Sequence, residues 1–302
     1  MFFKKIIILF ILFFLSCAKK PDAGITILVP DSISSIPFME MDRKTIGGQK
    51  ITIKGFSDHM SALLEFSKNP DMLLFTGFSV GLSSYSKIKT IRHIATPVWG
   101  VASLVTLNPK LNSIENFKNR QILVPFPKSP LDLQLQAILR LSSLQGKIRI
   151  GYSQVQQSMQ LLLQKKTDGI CIPEPLASKI VLEHNGYRAF SFSDKWTELN
   201  HDKLSPQVSL FAKKETMEKF PGLAEQIRQE TEKNISYIKS HRSDIIARYS
   251  GRFKIQKNTL DAALQNITLK LEPPPREKML IESYQKTLGG EIPDRSFYFF
   301  HD

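Results

Sequence analysis

A chain in which short β-branched runs keep alternating with helix-length amphipathic stretches has few folds open to it, and residues 25–172 alternate in this way throughout. Ile25 to Val29, Ile51 to Lys54, Met72 to Phe75, Ile88 to Ala95, Gln121 to Val124, Lys147 to Ile150 and Gly169 to Ile172 read as strands. Asp58 to Ser67, Leu131 to Leu144 and Val155 to Lys165 read as helices between them. In the second of these, Leu131, Leu135, Ile138, Leu139 and Leu141 roughly follow a 3.6-residue period. Strands and helices in this order predict parallel α/β layers. From Glu215 to Leu288 the pattern becomes mainly helical, with Pro221 near one start and Pro273-Pro274-Pro275 breaking it. Two longer β-like stretches, Val101 to Leu107 and Val208 to Ala212, bracket the middle block.

The first segment sets the compartment. Lys4 and Lys5 precede an unbroken apolar run, Ile6 to Leu15, and Ser16-Cys17 follows at once, the layout of a secretory signal. That run is half the roughly 20 residues a membrane-spanning helix needs. Residues 1–16 are therefore expected to be a signal peptide, and residues 17–23 a polar tether. Cys17 resembles the lipobox cysteine of bacterial lipoproteins, whose thiol is acylated, although Phe14 stands where most lipoboxes carry Leu. Cleavage without lipid is the alternative. The resemblance implies an envelope protein lipid-anchored on the periplasmic or extracellular face. With Cys17 consumed, Cys171 has no disulfide partner and reads as a small buried strand residue. The net charge is +13, but its lysines and arginines are dispersed, with no basic run interleaved with aromatics. No nucleic-acid partner is expected; the charge reads as solvated surface facing an anionic envelope.

Several stretches, in order, resemble the NitT/TauT family of substrate-binding proteins, which serve importers of nitrate, sulfonates, taurine and thiamine precursors. They are ITILVPDSISSIPF (25–38), ITIKGFSDHMSALLEFSKNPDMLLFTGFSVGL (51–82), IRHIATPVWGVASLVTLN (91–108) and NFKNRQILVPFPKSPLDLQLQAIL (116–139). QQSMQLLLQKKTDGICIPEPLASKI (156–180) and SPQVSLFAKKETMEKFPGLAEQI (205–227) complete the set. Two departures stand out: Lys165-Lys166-Thr167 replaces a turn glycine, and Pro127-Lys128-Ser129-Pro130 replaces a glycine-serine loop. The resemblance implies a bilobal α/β protein, a periplasmic binding protein of type II, in which two α/β lobes are joined by two hinge strands. Lobe one would hold residues 24–100 and 208–302, and lobe two residues 101–207. Val101 to Leu107 and Val208 to Ala212 would cross between them as paired strands.

It also implies a monomeric receptor that closes on a small organic molecule and passes it to an ABC permease. The ligand would lie at the carboxyl ends of the strands, where open α/β sheets bind. Asp31, Ser32, Ser34 and Ser35 occupy the first of these loops, as hydroxyl donors to a ligand or as turn and cap residues. Thr76, Gly77 and Phe78 form the next, with the glycine permitting close backbone approach or merely a turn. Trp99, beside Gly100 at the lobe crossing, either stacks on a flat ligand or belongs to the core. Lys128 and Ser129, Gln156 and Gln157, and Glu174 complete the candidates. Glu174 either accepts from a ligand amine or complements a helix dipole. The six histidines are scattered, none at metal-ligand spacing, and no phosphate loop or nucleophile elbow occurs. No metal, cofactor or catalysis is expected. The alternatives are an enzyme of cofactor biosynthesis on the same fold and a surface lipoprotein without transport.

Overall fold

The computed structural model describes residues 24–300, so the expected signal peptide, Cys17, the tether and the last two residues lie outside the described residues. The chain enters with β1 (Ile25–Pro30), turns through Ile33–Ser35 into α1 (Ile36–Met39), and makes the hairpin β2 (Thr45–Ile46) and β3 (Gln49–Phe56). Then come α2 (His59–Lys68), β4 (Met72–Gly77), α3 (Phe78–Lys87) and β5 (Ile91–Gly100). After Val101 follow β6 (Ala102–Thr106), β7 (Gln121–Val124), α4 (Pro130–Leu141), β8 (Arg149–Tyr152) and α5 (Val155–Leu163). Next are β9 (Gly169–Pro173), α6 (Leu176–Glu183), β10 (Tyr187–Ser191) and α7 (Phe192–Leu199). The return brings β11 (Val208–Lys213), α8 (Lys214–Lys219), α9 (Leu223–Ser240), α10 (Arg242–Phe253), α11 (Lys257–Gln265), β12 (Thr268–Leu269) and α12 (Pro274–Leu288).

These strands form two sheets, ordered β12-β5-β11-β4-β1-β3-β2 and β10-β6-β9-β7-β8. The molecule is bilobal, one α/β lobe around each sheet. Alternation along the strands sorts the side chains. Ile25, Ile27, Val29, Leu73, Phe75 and Leu210 face a core covered by α9, α10 and α11, while Leu28, Leu74 and Phe211 face the opposite side. The second side is not private to its lobe. The apolar cluster there continues through Leu104, Ile122, Val124, Leu135, Ile138 and Trp196 of the second sheet and its helices. The Trp196 and Tyr284 rings, 5.0 Å apart, are part of that seam.

The strand expected over Ile88 to Ala95 instead runs Ile91–Gly100, straight through Pro97. Proline is tolerated because the ladder uses only its carbonyl, which accepts from Lys270 N–H at 3.0 Å, and register shifts flank it. Lys147 to Ile150 is likewise displaced to Arg149–Tyr152, an edge strand after the left-handed Gly146. The expected pairing of Val101–Leu107 with Val208–Ala212 is wrong. β6 lies between β9 and β10, whereas β11 lies between β4 and β5. The pair at the crossing is β5 with β11, extended by Gln207 N–H donating to Val98 O. Val101 alone links the sheets outward, and the segment before β11 links them back. No helix among the described residues is long and apolar enough to cross a membrane.

Candidate ligand-binding site

On the first lobe, Asp31 N–H donates to Phe56 O at 2.8 Å, carrying the β1–β3 ladder one residue further before the chain turns. Ser35 spends its hydroxyl on Pro30 O at 2.7 Å and is fully buried, so it forms the turn and offers nothing to a ligand. Ser32 and Ser34 pair hydroxyl to hydroxyl at 2.6 Å. Asp31 is exposed, and its carboxylate packs on Gly55, where a Cβ would lie 2.2 Å from Oδ1.

Beside them stands a residue that sequence reasoning passed over. His59 opens α2, which Asp58 caps by accepting from Ser61 N–H at 2.7 Å. Its Nδ1 lies 3.1 Å from Thr76 Oγ1, and its ring meets Phe56 edge-on at 5.2 Å. β1 lies between β3 and β4, so a contact from the start of α2, three residues past β3, to the end of β4 passes over the end of β1. The Ser32–Ser34 pair follows the end of β1, and the His59–Thr76 contact spans the strands on either side of it. Burial holds the His59 imidazole below its ordinary pKa and so neutral at pH 7, able to donate or accept. Its position at the start of α2, just past the carboxyl end of β3, was the available signal.

Gly77 caps α3, but Phe78 is wholly buried among Tyr284, Phe297 and His93, with ring centroids 6.3 to 6.5 Å away. Its N–H donates to Gln207 O. The expectation that Phe78 touches ligand is corrected, because the lobe seam claims its ring. Trp99 is corrected as well: it is fully buried, and its Nε1 donates to Lys270 O at 3.0 Å. Gly100 is a close-approach glycine, since a Cβ there would lie 2.5 Å from Ser193.

On the second lobe, Ser129 caps α4 by accepting from Asp132 N–H at 3.3 Å. Asp132 in return accepts from Lys128 N–H at 2.7 Å, fixing that residue in the left-handed region at φ 60°. Lys128 points its ammonium into solvent, and Gln156 and Gln157 are exposed in the first turn of α5. Gln157 accepts from Ser153 Oγ at 2.9 Å. Phe126 and Tyr152 are 55% and 47% exposed at the ends of neighbouring strands β7 and β8, and the Tyr152 hydroxyl reaches Asp132 at 3.4 Å. Glu174 is turned away from these groups. Its Oε1 accepts from Arg188 at 2.6 Å and its Oε2 from Ser178 N–H at 3.1 Å, while Arg188 also donates to Asn266 of the other lobe at 3.1 Å. Burial raises the Glu174 pKa while Arg188 opposes it. The expected amine contact at Glu174 is therefore replaced by an interlobe clasp.

Both sets of loops meet one segment. Buried Gln134 of α4 donates to Ser205 Oγ at 2.9 Å and accepts from Gln207 at 3.2 Å, and Gln207 O takes the first N–H of α3. The starts of α3 and α4 are thereby fixed to the same crossing. No protein-family model and no curated protein matches the sequence. Solved structures do match. An ABC transporter from Parabacteroides distasonis superposes with a TM-score of 0.75 at 17% identity, over 93% of this chain and all of that one. The periplasmic aliphatic sulphonate binding protein SsuA from Escherichia coli gives 0.71 at 15%, over 88% and 90%. A conserved Candida albicans gene product, described as exhibiting the generic periplasmic binding protein structural fold, gives 0.61 at 10%, over 88% and 89%. The fold is that of the periplasmic binding proteins. At these identities the likeness concerns fold alone. No group of three or more His, Cys, Asp or Glu among the described residues could hold a metal.

Proposed function

We propose that this chain is a solute receptor of the cell envelope, lipid-anchored through Cys17, that closes its lobes on a small organic molecule and delivers it to an ABC permease. The observations that carry this reading are the Ser32–Ser34 and His59–Thr76 pairs at the carboxyl ends of β1 and β4, in a two-lobed frame crossed, among the described residues, by two connections. These pairs supply donors and acceptors without a net charge. Phe126 and Tyr152 supply exposed rings on the other lobe. Buried unpaired charge is costly, so a neutral set favours a ligand with hydroxyl, amide or ring N–H groups over bare nitrate or sulfate. The named activities of the similar structures, ABC transport and sulphonate binding, support the transport class.

The reading is tested by a thermal-shift screen of the mature protein across vitamin precursors, pyrimidines, sulfonates and nitrate, followed by uptake assays in a deletion strain. A ligand at a hundred times its Kd should add about 2.7 kcal/mol of stability. Ser34→Ala and Thr76→Val should each weaken it about tenfold. Deletion without any loss of uptake of the screened hit would remove the transport reading. For the anchor, Cys17→Ser should abolish partition into detergent, and an equally membrane-bound variant would refute lipidation.

A further inference from the structure

We propose that a cavity between the lobes, alongside α3, is a second site that takes the apolar body of an organic cation, an amphipathic amine or ammonium compound. It goes beyond the receptor reading, since none of Ser32, Ser34, His59, Thr76, Phe126 and Tyr152 lines it. The cavity measures about 340 Å³, within the range of small-molecule sites. Ser79 of α3 and Pro130 of α4 are among its lining residues. Its walls come from both lobes: Leu82 of α3, Tyr284 and Leu288 of α12 and Ile292 beyond it on one side, Leu133 of α4 on the other. Leu133 is 39% and Ile292 49% exposed, apolar surface that an occupant would remove from water.

The charged groups of the wall select the sign. Glu291 and Asp294 contribute two carboxylates against one ammonium, that of Lys89. That ammonium already has partners, 3.8 Å from Asp294 Oδ2 and 4.3 Å from the Tyr85 ring centroid. Asp294 is fixed as an acceptor, taking hydrogen bonds from Tyr85 OH at 2.6 Å and Ser296 Oγ at 2.7 Å, which hold its pKa at about 2. An anion would meet the two carboxylates, whereas a cation meets Glu291 and Asp294 beside the same aromatic wall that carries Lys89.

Calorimetry of the mature protein with butyl-, hexyl- and octylammonium tests this, with hexanesulfonate as the anionic counterpart. Affinity should rise about three- to fourfold per added methylene, and hexanesulfonate should bind at least tenfold more weakly than hexylammonium. Leu133→Arg and Glu291→Lys, both at exposed positions, should each weaken hexylammonium at least tenfold without lowering the melting temperature. Undetectable hexylammonium binding, binding indifferent to both substitutions, or equally tight hexanesulfonate would each overturn the proposal. Those results leave the receptor reading standing, because that reading is judged by uptake and by Ser34 and Thr76.

Discussion

Replacing Arg188 by Met should destabilise the protein in a way that depends on pH, through Glu174. The Glu174 side chain is 0% exposed and that of Arg188 17% exposed, at 2.6 Å, so the substitution leaves a carboxylate buried without its guanidinium. Removing one partner of a buried pair costs about 3–5 kcal/mol. The carboxylate can escape by taking a proton, which sets a ceiling. From an ordinary value of 4.5, protonation at pH 7 costs about 1.4 kcal/mol for each of 2.5 pH units, roughly 3.5 kcal/mol in total. At pH 5 the same route costs less than about 1 kcal/mol. The sign follows from linkage: a carboxyl whose folded pKa is raised penalises the native state above that pKa, and the penalty vanishes as pH falls toward the unfolded value. Urea unfolding of parent and variant should therefore differ by about 3.5 kcal/mol at pH 7 and by about 1 at pH 5. The lost Arg188 bonds to Asn266 and Ser178 contribute equally at both pH values, so the difference between them belongs to Glu174. Adding Glu174→Gln to Arg188→Met should restore most of the difference at pH 7. An equal penalty at both pH values, or a double variant as unstable as the single one, would refute the reasoning.

Burial and the nearby Arg228 push His93 down to about 3, so it folds neutral; stability should fall by up to about 1.4 kcal/mol per pH unit as pH drops from 6 toward 3. A shallower acid limb of the urea midpoint in His93→Gln checks this, and an unchanged slope refutes it. Gly81→Ala would place a Cβ 2.1 Å from the buried Phe211 ring and should cost about 1–3 kcal/mol. Gly251→Ala, in α10 with nothing within 4 Å, should instead stabilise by about 0.5–1 kcal/mol in the same unfolding assay. Trp99→Phe should lose about 1 kcal/mol with its bond to Lys270 O yet leave ligand affinity unchanged in calorimetry.

Periodicity along the sequence determined the α/β class, most strand positions in the first two-thirds and the helical character after Glu215, because these depend on which faces of a local element meet water. Ser191 followed by Asp194, which marks the start of α7, was equally local and was passed over. The tertiary structure decided what each functional candidate touches. His59 reaches Thr76 only because β1 lies between β3 and β4, an order no local pattern encodes. Glu174 lost its candidacy because β6 separates β9 from β10, which brings Arg188 alongside it. Trp99 looked equally suited to stacking or to core; the chain around Lys270, far along in sequence, settled it by covering the indole. Side chains on strand ends are placed by sheet order and by the segments that return across them, and both are fixed by burial summed over the whole chain, not by neighbours in sequence.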